Sequence, residues 1–336
     1  MKKFMNSGPT YGAACNVTAA DIAFDLTTQL DGTFYDIRYP EREWPTIVSQ
    51  DQIYTDINAG ATSYAYMTRN RHGMAAFIGH GPNNDIPMVG QSMGAVTVPI
   101  AYAAIGAQVT DEDARQYSFG VNGNLAQDLG GAMRDGCENL MENSIIFGVP
   151  DLGFHGWINY PGITVMMAGA SAGTPSSTKW ADKTGTEIVS DVNNALTYVW
   201  ESTRTLFRPK TVFIPLKQYA LITNMPMVLG ASSSSNGVGL MLNVLNYLQA
   251  NNIMAQLEGG ELEIIPSRYL NGAGVGGTDR MVIMDRRPEN QILPFPLPYQ
   301  LSEPQPKPMA VAWYAENKFG SYHVRQQGSM LYVDGI

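Results

Sequence analysis

Residues 111–146 carry a helical stripe that constrains the chain more than any other feature. Leu125, Leu129, Met133, Cys137, Leu140 and Ser144 recur at steps of three and four, which puts them on one face of an α-helix. The same stretch holds five glycines, Gly120, Gly123, Gly130, Gly131 and Gly136. Each costs a helix interior about 1 kcal/mol relative to alanine, so such a helix needs close packing from the rest of the fold. The spacing also predicts a bend or break near residues 120–123. A fold built around this element must therefore wrap it, and the sequence on either side supplies mostly strands to do so.

Residues 1–50 show weak periodicity and are expected to form an extended arm. Residues 54–106 are rich in Gly, Ala, Thr, Tyr and Val, with alternation over 61–67 and 95–102. That pattern predicts long β-strands around an extended hairpin, with turn signals at 69–73 and 81–85. Beyond the long helix, Thr184 and Glu187 form a capping box, Ile188, Val192, Ala195, Val199 and Leu206 line one face, and Pro209 stops the helix. A buried strand is expected over 212–216. A third helix is expected to use Val238, Met241, Leu242, Leu245 and Leu248, ending at Asn251-Asn252. Strands are expected again at 261–266, 280–285, 291–295, 309–315 and 321–333. Prolines at 294, 296, 298, 304, 306 and 308 read as a stiff extended connector, since proline lacks the N–H that a helix or a central strand requires.

Charged residues make up only 15% of the 336 residues, against 44% apolar ones, so part of the surface is expected to be covered by other subunits. A net charge of −9 argues against a protein that holds nucleic acid through its phosphates. The two cysteines, Cys15 and Cys137, are too few for a disulfide framework, and Cys137 on the helical stripe reads as a buried, inert thiol. The N-terminus lacks the apolar core of a signal peptide, and no stretch approaches about 18 uninterrupted apolar residues, so no membrane span is expected.

Two motifs imitate chemistry. Gly90-Gln91-Ser92-Met93-Gly94 matches the G-x-S-x-G elbow of serine hydrolases, with His155 or His323 as the downstream histidines that a Ser92 nucleophile would need. The elbow requires a strand before the serine and a helix after it, whereas Ala95-Val96-Thr97-Val98 reads as strand. Residues 272–277 contain G-x-G-x-x-G, but a strand, not the pyrophosphate-binding helix, is expected next. His72, His80, His155 and His323 show no metal-ligand spacing with one another or with the cysteines. The sequence therefore assigns no catalytic, cofactor or metal residue and no cofactor.

Asn143-Ser144-Ile145-Ile146-Phe147-Gly148, followed by Gly153-Phe154-His155-Gly156-Trp157-Ile158-Asn159-Tyr160-Pro161-Gly162-Ile163, is similar to a passage of tailed-phage major capsid proteins, with Trp-Ile where a leucine pair is usual. Leu196-Thr197-Tyr198-Val199-Trp200-Glu201, Thr205-Leu206-Phe207-Arg208-Pro209 and Pro215-Leu216-Lys217-Gln218-Tyr219 resemble the same family's next helix, strand and P-x-x-Y segment. The most specific piece is GAGVGGTDRMVIMDR from Gly272, with the closing Tyr332-Val333-Asp334-Gly335-Ile336. The order and spacing of these pieces carry the resemblance over nearly the whole chain.

The resemblance implies an α+β fold of the Hong Kong 97 type. Its parts would be an N-terminal arm (1–50), an extended loop or E-loop with flanking strands (51–106), a peripheral domain with the spine helix (107–164), an axial domain (165–300) and closing peripheral strands (301–336). It implies a structural protein, not an enzyme, that assembles with itself into pentamers and hexamers of an icosahedral virion shell around double-stranded DNA, built in the host cytoplasm. Scaffolding, portal and cement proteins would be further partners, and DNA a non-specific content. An encapsulin-like nanocompartment shell shares the fold and is the alternative; a Ser92 hydrolase is the third reading. The E-loop tip, Arg69, Asn70, Arg71 and His72, is the candidate subunit contact. Some relatives on this fold weld an E-loop lysine to a neighbour's asparagine. No lysine occurs between Lys3 and Lys179, so no such weld is expected here.

Overall fold

The computed structural model describes residues 39–77, 87–120, 125–174, 177–229 and 240–336. The chain opens with helix α1 (Trp44–Ile47) and strands β1 (Ile53–Tyr54), β2 (Ser63–His72) and β3 (Gly90–Thr110), then helices α2 (Asp111–Gly120) and α3 (Leu125–Ile146). Strand β4 (Thr164–Met167), helix α4 (Gly185–Ser202), β5 (Thr211–Pro215), α5 (Leu216–Asn224), β6 (Pro226–Leu229), β7 (Leu240–Asn243), α6 (Val244–Ala250) and α7 (Ile253–Glu258) follow. The rest is strand: β8 (Glu263–Ser267), β9 (Arg280–Met284), β10 (Gln291–Pro294), β11 (Leu297–Leu301), β12 (Gln305–Lys307), β13 (Ala310–Gly320), β14 (His323–Val324) and β15 (Met330–Asp334).

The central sheet has the order β4-β15-β9-β5-β8, parallel at its two outer pairings and antiparallel within. Every residue of β5, β9 and β15 is buried, as expected for strands covered on both faces. Their side chains alternate between two cores. Val212, Ile214, Met281, Ile283, Leu331 and Val333 point to one face, against Ile188, Val192, Ala195, Leu196 and Val199 of α4 and Leu245 and Leu248 of α6. Phe213, Val282, Met284, Met330 and Tyr332 point to the other, against Met141, Ile145 and Ile146 of α3 and Trp157, Tyr160 and Tyr322. At about 25 cal/mol per Å² of apolar surface removed from water, this double burial dominates the stability of the fold. Arg280 is buried within it, its Nε 2.6 Å from one Asp334 oxygen, its Nη2 2.8 Å from the other, and its Nη1 bonded to the Ile158 carbonyl.

The passage after α3 turns back on the helix end so closely that backbone meets backbone. A Cβ added at Gly156 would sit 2.4 Å from the Phe147 carbonyl carbon, and one at Gly148, where φ is +75°, 2.5 Å from the Phe154 oxygen. Only glycine fits either place. The turn lets the Trp157 N–H donate to the Ile145 carbonyl, 2.8 Å away, and buries the indole against Phe213.

The helical stripe is realised in part. Met133, Cys137, Met141, Ser144 and Ile145 are buried, whereas Leu140 is half exposed, so the buried face passes through Met141 instead. The long helix is divided into α2 and α3; residues 121–124, which include Gly123 of the expected break, lie outside the described residues. Close packing explains only one of the described interior glycines: a Cβ on Gly136 would meet Ile105 at 2.9 Å, while Gly130 and Gly131 face open space. The helix from Thr184 forms with its capping box, the Thr184 N–H donating to Glu187 at 2.7 Å, but it ends at Ser202, so Leu206 lies outside it and is exposed. The third helix begins later than expected. Leu242 and Met241 instead pair with Met227 and Val228 as strands β7 and β6, and Val238 lies outside the described residues. Three of the prolines expected in a connector lie within strands: Pro294 ends β10, and Pro298 and Pro306 lie in β11 and β12, both laid along one side of β13. Proline is tolerated there because an edge strand leaves one side of its backbone without partners.

Candidate subunit interface

Strand β3 is used twice along its length. Its inner half, from Ile100 to Thr110, pairs with the whole of β13. Its outer half pairs only with β2, from Ser63↔Pro99 out to His72↔Gly90. The last six of these pairs, from Met67↔Ala95 outward, make a ribbon about 20 Å long at the usual rise per strand residue. Neither face of that ribbon is covered: residues 67–72 and 91–95 are all exposed. A two-stranded ribbon with no covered face is marginal in water by itself.

Opposed residues of an antiparallel pair share a face, so the register sorts the side chains. Met67, Arg69, Arg71, Gln91, Met93 and Ala95 lie on one face; Thr68, Asn70, His72, Gly90, Ser92 and Gly94 lie on the other. Met67 and Met93 are 83% and 65% exposed, and Met74, Phe77, Met88 and Val89 beyond them are more than three-quarters exposed, a concentration of bare apolar side chains rare on a soluble monomer. Among the described residues neither Arg69 nor Arg71 has a carboxylate partner. On the opposite face the His72 ring lies across Gly90, where a Cβ would come within 2.7 Å of Nε2.

The turn expected at residues 69–73 is not there. Arg69, Asn70, Arg71 and His72 are the last four residues of β2, still paired with β3, and the connection between the strands begins at Gly73. The Thr68 hydroxyl donating to the Gly94 carbonyl and the glycines opposite Thr68 and His72 accommodate the pairing where local turn signals pointed to its end. The second turn signal, 81–85, and His80 lie outside the described residues.

The ribbon's root is tied down by groups that the sequence did not single out. Tyr66 places its hydroxyl 2.8 Å from His323 Nε2, and the Tyr160 hydroxyl lies 2.9 Å from Nδ1 of the same ring. Arg325 Nη2 donates to the Tyr64 hydroxyl at 3.1 Å, with its guanidinium 5.1 Å from the Tyr66 ring centre. Lys318 Nζ donates to the Ala59 carbonyl just before β2. Burial, with Arg325 and His155 adding to it, lowers the His323 pKa from 6.5 to about 4. The only signal for this cluster was the alternation that put Tyr64 and Tyr66 on one face; its partner lies 257 residues away.

The two imitations of chemistry resolve against catalysis. Ser92 lies within β3, exposed and opposite Asn70, where no strand-to-helix turn strains it. His323 is engaged by two tyrosines at the ribbon's root, and the backbone of His155 is held by Ser321. The glycine loop at 272–277 makes a single turn and enters β9. Its amides are engaged within the chain: the Val275 N–H donates to Asp334 and the Gly272 N–H to Asp279, each at 2.9 Å, and those of Ala273, Gly274 and Gly277 donate to backbone carbonyls. Among the described residues no three histidine, cysteine, aspartate or glutamate side chains gather as a metal site, and no helix is long and apolar enough to cross a membrane.

Comparison with known proteins agrees with this geometry. The chain's structure superimposes on that of the capsid of Myoviridae phage XM1 with a TM-score of 0.71 at 15% identity, covering 92% of this chain and 97% of that one. The capsid of a native GTA particle gives 0.58 at 12% identity over 96% and 99%. A Microbacterium phage Oxtober96 chain gives 0.57 at 12% identity over 95% and 99%. A search of curated proteins finds no sequence match. The α+β fold is thus the Hong Kong 97-like fold of phage capsids. The sequence profile described as "Major capsid protein" matches residues 73–336, most of the chain. The chain therefore belongs to the major capsid protein family, whose members are structural proteins of the virion and not enzymes.

Proposed function

We propose that this chain is the shell subunit of a tailed-phage head, assembling into pentamers and hexamers that close into an icosahedral container for double-stranded DNA in the host cytoplasm. The observation that carries the reading is the ribbon: about 20 Å of paired strand with both faces bare and apolar side chains at its end. Such an element is stable and soluble only once another surface covers it. In this reading the ribbon is the E-loop within residues 51–106, α3 the spine helix of the peripheral domain (107–164), residues 165–300 with α4 to α7 the axial domain, and 301–336 the closing peripheral strands; of the arm expected over 1–50, residues 1–38 lie outside the described residues.

Arg69 and Arg71, with Asn70 and His72 on the opposite face, are the subunit contact, meeting carboxylates of an adjacent copy. One surface must serve both five-fold and six-fold surroundings, and flexible methionine side chains suit contacts that re-pack between the two. Scaffolding, portal and cement proteins are further partners of such a shell.

Negative-stain microscopy and light scattering of the purified chain test the reading. Capsomers or closed particles are expected, and a monomer that persists at high concentration across salt conditions would overturn it. With no lysine from residue 4 to 178, particles boiled in denaturing detergent should release single chains of about 36.6 kDa. Pentamer- and hexamer-sized bands surviving that treatment would reveal a cross-link.

A further inference from the structure

We propose that Met67 and Met93 are a modification site through which a peroxide controls assembly. Oxidised to sulfoxides in the free subunit, they turn one face of the β2–β3 ribbon polar, and a second copy no longer covers it. The oxidation is a property of the subunit; only its effect on assembly rests on the shell-forming reading.

The placement of sulfur carries the inference. Six methionines are exposed among the described residues, and four of them, Met67, Met74, Met88 and Met93, lie on the ribbon or just beyond its outer end. The other two are Met167 on β4 and Met309 at the turn into β13. Met133, Met141, Met281 and Met330 are buried within the subunit. Oxidation of a thioether follows its exposure, so the ribbon reacts before the core.

The step needs no catalytic group. The sulfur lone pair attacks one oxygen of hydrogen peroxide, an S–O bond forms and the O–O bond breaks. The hydroxide that leaves takes the proton of the transferred oxygen and departs as water. Sulfur loses two electrons and the peroxide gains them. A thiol-dependent methionine sulfoxide reductase reverses the change, its thiols ending as a disulfide and the oxygen leaving as water.

The strand register makes the change consequential. Met93 stands directly opposite Arg69, and Met67 lies two residues before Arg69 on the same face. Opposed Cβ atoms in such a pair are about 5 Å apart, within reach of two long side chains. A sulfoxide oxygen accepts hydrogen bonds, and a guanidinium has five N–H groups to donate. Oxidised Met93 therefore holds Arg69 within the ribbon, away from a neighbour's carboxylate. A sulfoxide that finds no donor is instead an unpaired polar group in the contact, which costs roughly tenfold in affinity.

The unassembled full-length chain, treated with dilute hydrogen peroxide and quenched, tests the site, with peptide mass mapping to read the gain of about 16 Da per oxygen. Met67 and Met93 should be oxidised ahead of Met281 and Met330, with the thermal midpoint held. Light scattering should show the concentration needed for assembly rising about tenfold or more. Replacing Met67, Met74, Met88 and Met93 together by leucine keeps the apolar volume and should give assembly that peroxide does not affect. Met167→Leu with Met309→Leu should leave the sensitivity as in wild type. If the fourfold leucine variant does not assemble, reductase treatment of the oxidised wild type serves in its place and should restore assembly. Oxidised wild type that assembles like untreated chain, a leucine variant as sensitive as wild type, or a reduction that restores nothing would overturn the switch. A chain that never assembles, treated or untreated, overturns the shell-forming reading instead, and the mass map still reads the order of oxidation.

Discussion

The outer ribbon and the central sheet are written in the same pattern and end in opposite situations. In β5, β9 and β15 consecutive residues alternate between two apolar cores, and every position is buried. In the outer halves of β2 and β3 consecutive residues also alternate between two faces, yet both faces are open. The sheet strands are paired along both edges and buried on both faces, whereas the ribbon strands pair only with each other and are buried on neither face. The sheet's stability is internal to the chain, while the ribbon is an element whose second half must come from elsewhere.

The sharpest test of that contrast sets one change in the sheet against one in the ribbon. Arg280→Met leaves the Asp334 carboxylate buried without its bidentate partner and frees the Ile158 carbonyl. Removing one member of a buried pair costs about 3–5 kcal/mol, so urea unfolding of the subunit should shift by that much, with collapse of the glycine loop that Asp334 also holds. Met67→Ser combined with Met93→Ser changes two exposed side chains and should leave the same unfolding curve within about 0.5 kcal/mol. The ribbon variant should instead lose closed particles under the microscope. If it destabilises the subunit as strongly as the core variant does, the ribbon is held by its own chain and the contrast fails.

Between these extremes lies Glu142, the buried carboxylate on α3 that accepts from the Glu43 N–H, the Arg268 guanidinium and the Tyr269 hydroxyl, each at 3.0 Å. It fastens the segment that leads into α1 onto α3. Glu142→Gln keeps the shape but surrenders the charge, which is expected to cost about 1.5–3 kcal/mol in the same unfolding assay. Exchange should rise first in peptides covering residues 42–48. A loss spread evenly over the sheet would mean that this carboxylate supports the whole core and not one segment.

What the sequence showed follows the same division. Elements whose partners are near in the chain or whose pattern repeats were legible: the capping box at Thr184, the buried strand expected at 212–216 and formed at 211–215, the alternation of β2 and β3. Where local signals conflicted with a distant partner, the partner decided. Arg69 to Gly73 has the composition of a turn, but Gly90, Ser92 and Gly94 accept the pairing and carry the strand to His72. Met241 and Leu242 fit a helical stripe, but β6 pairs with them first. Pro298 and Pro306 suggested a connector because the strand that receives them, β13, comes later in the chain. The root of the ribbon was illegible for the same reason, since nothing near Tyr66 announces His323.

The smallest expected effect has the opposite sign from the rest, and it separates the two regions within one helix. On α3, the C-terminal turns carry Met141, Ile145 and Ile146 into the core, while a Cβ at Gly130 or Gly131 in the N-terminal half would meet nothing within 4 Å. In the isolated subunit these two glycines therefore weaken the helix without any packing to explain them. Gly130→Ala should stabilise the subunit by about 0.5–1 kcal/mol, since alanine removes the glycine's cost in a helix interior and fits the space. If the open flank of α3 is covered by an adjacent copy in the shell, the added methyl groups of Gly130→Ala with Gly131→Ala should slow or abolish assembly while raising the thermal midpoint. A subunit that gains stability and still assembles at the wild-type rate would show that this flank of α3 faces solvent in the shell, and that the burden of subunit contact falls on the ribbon.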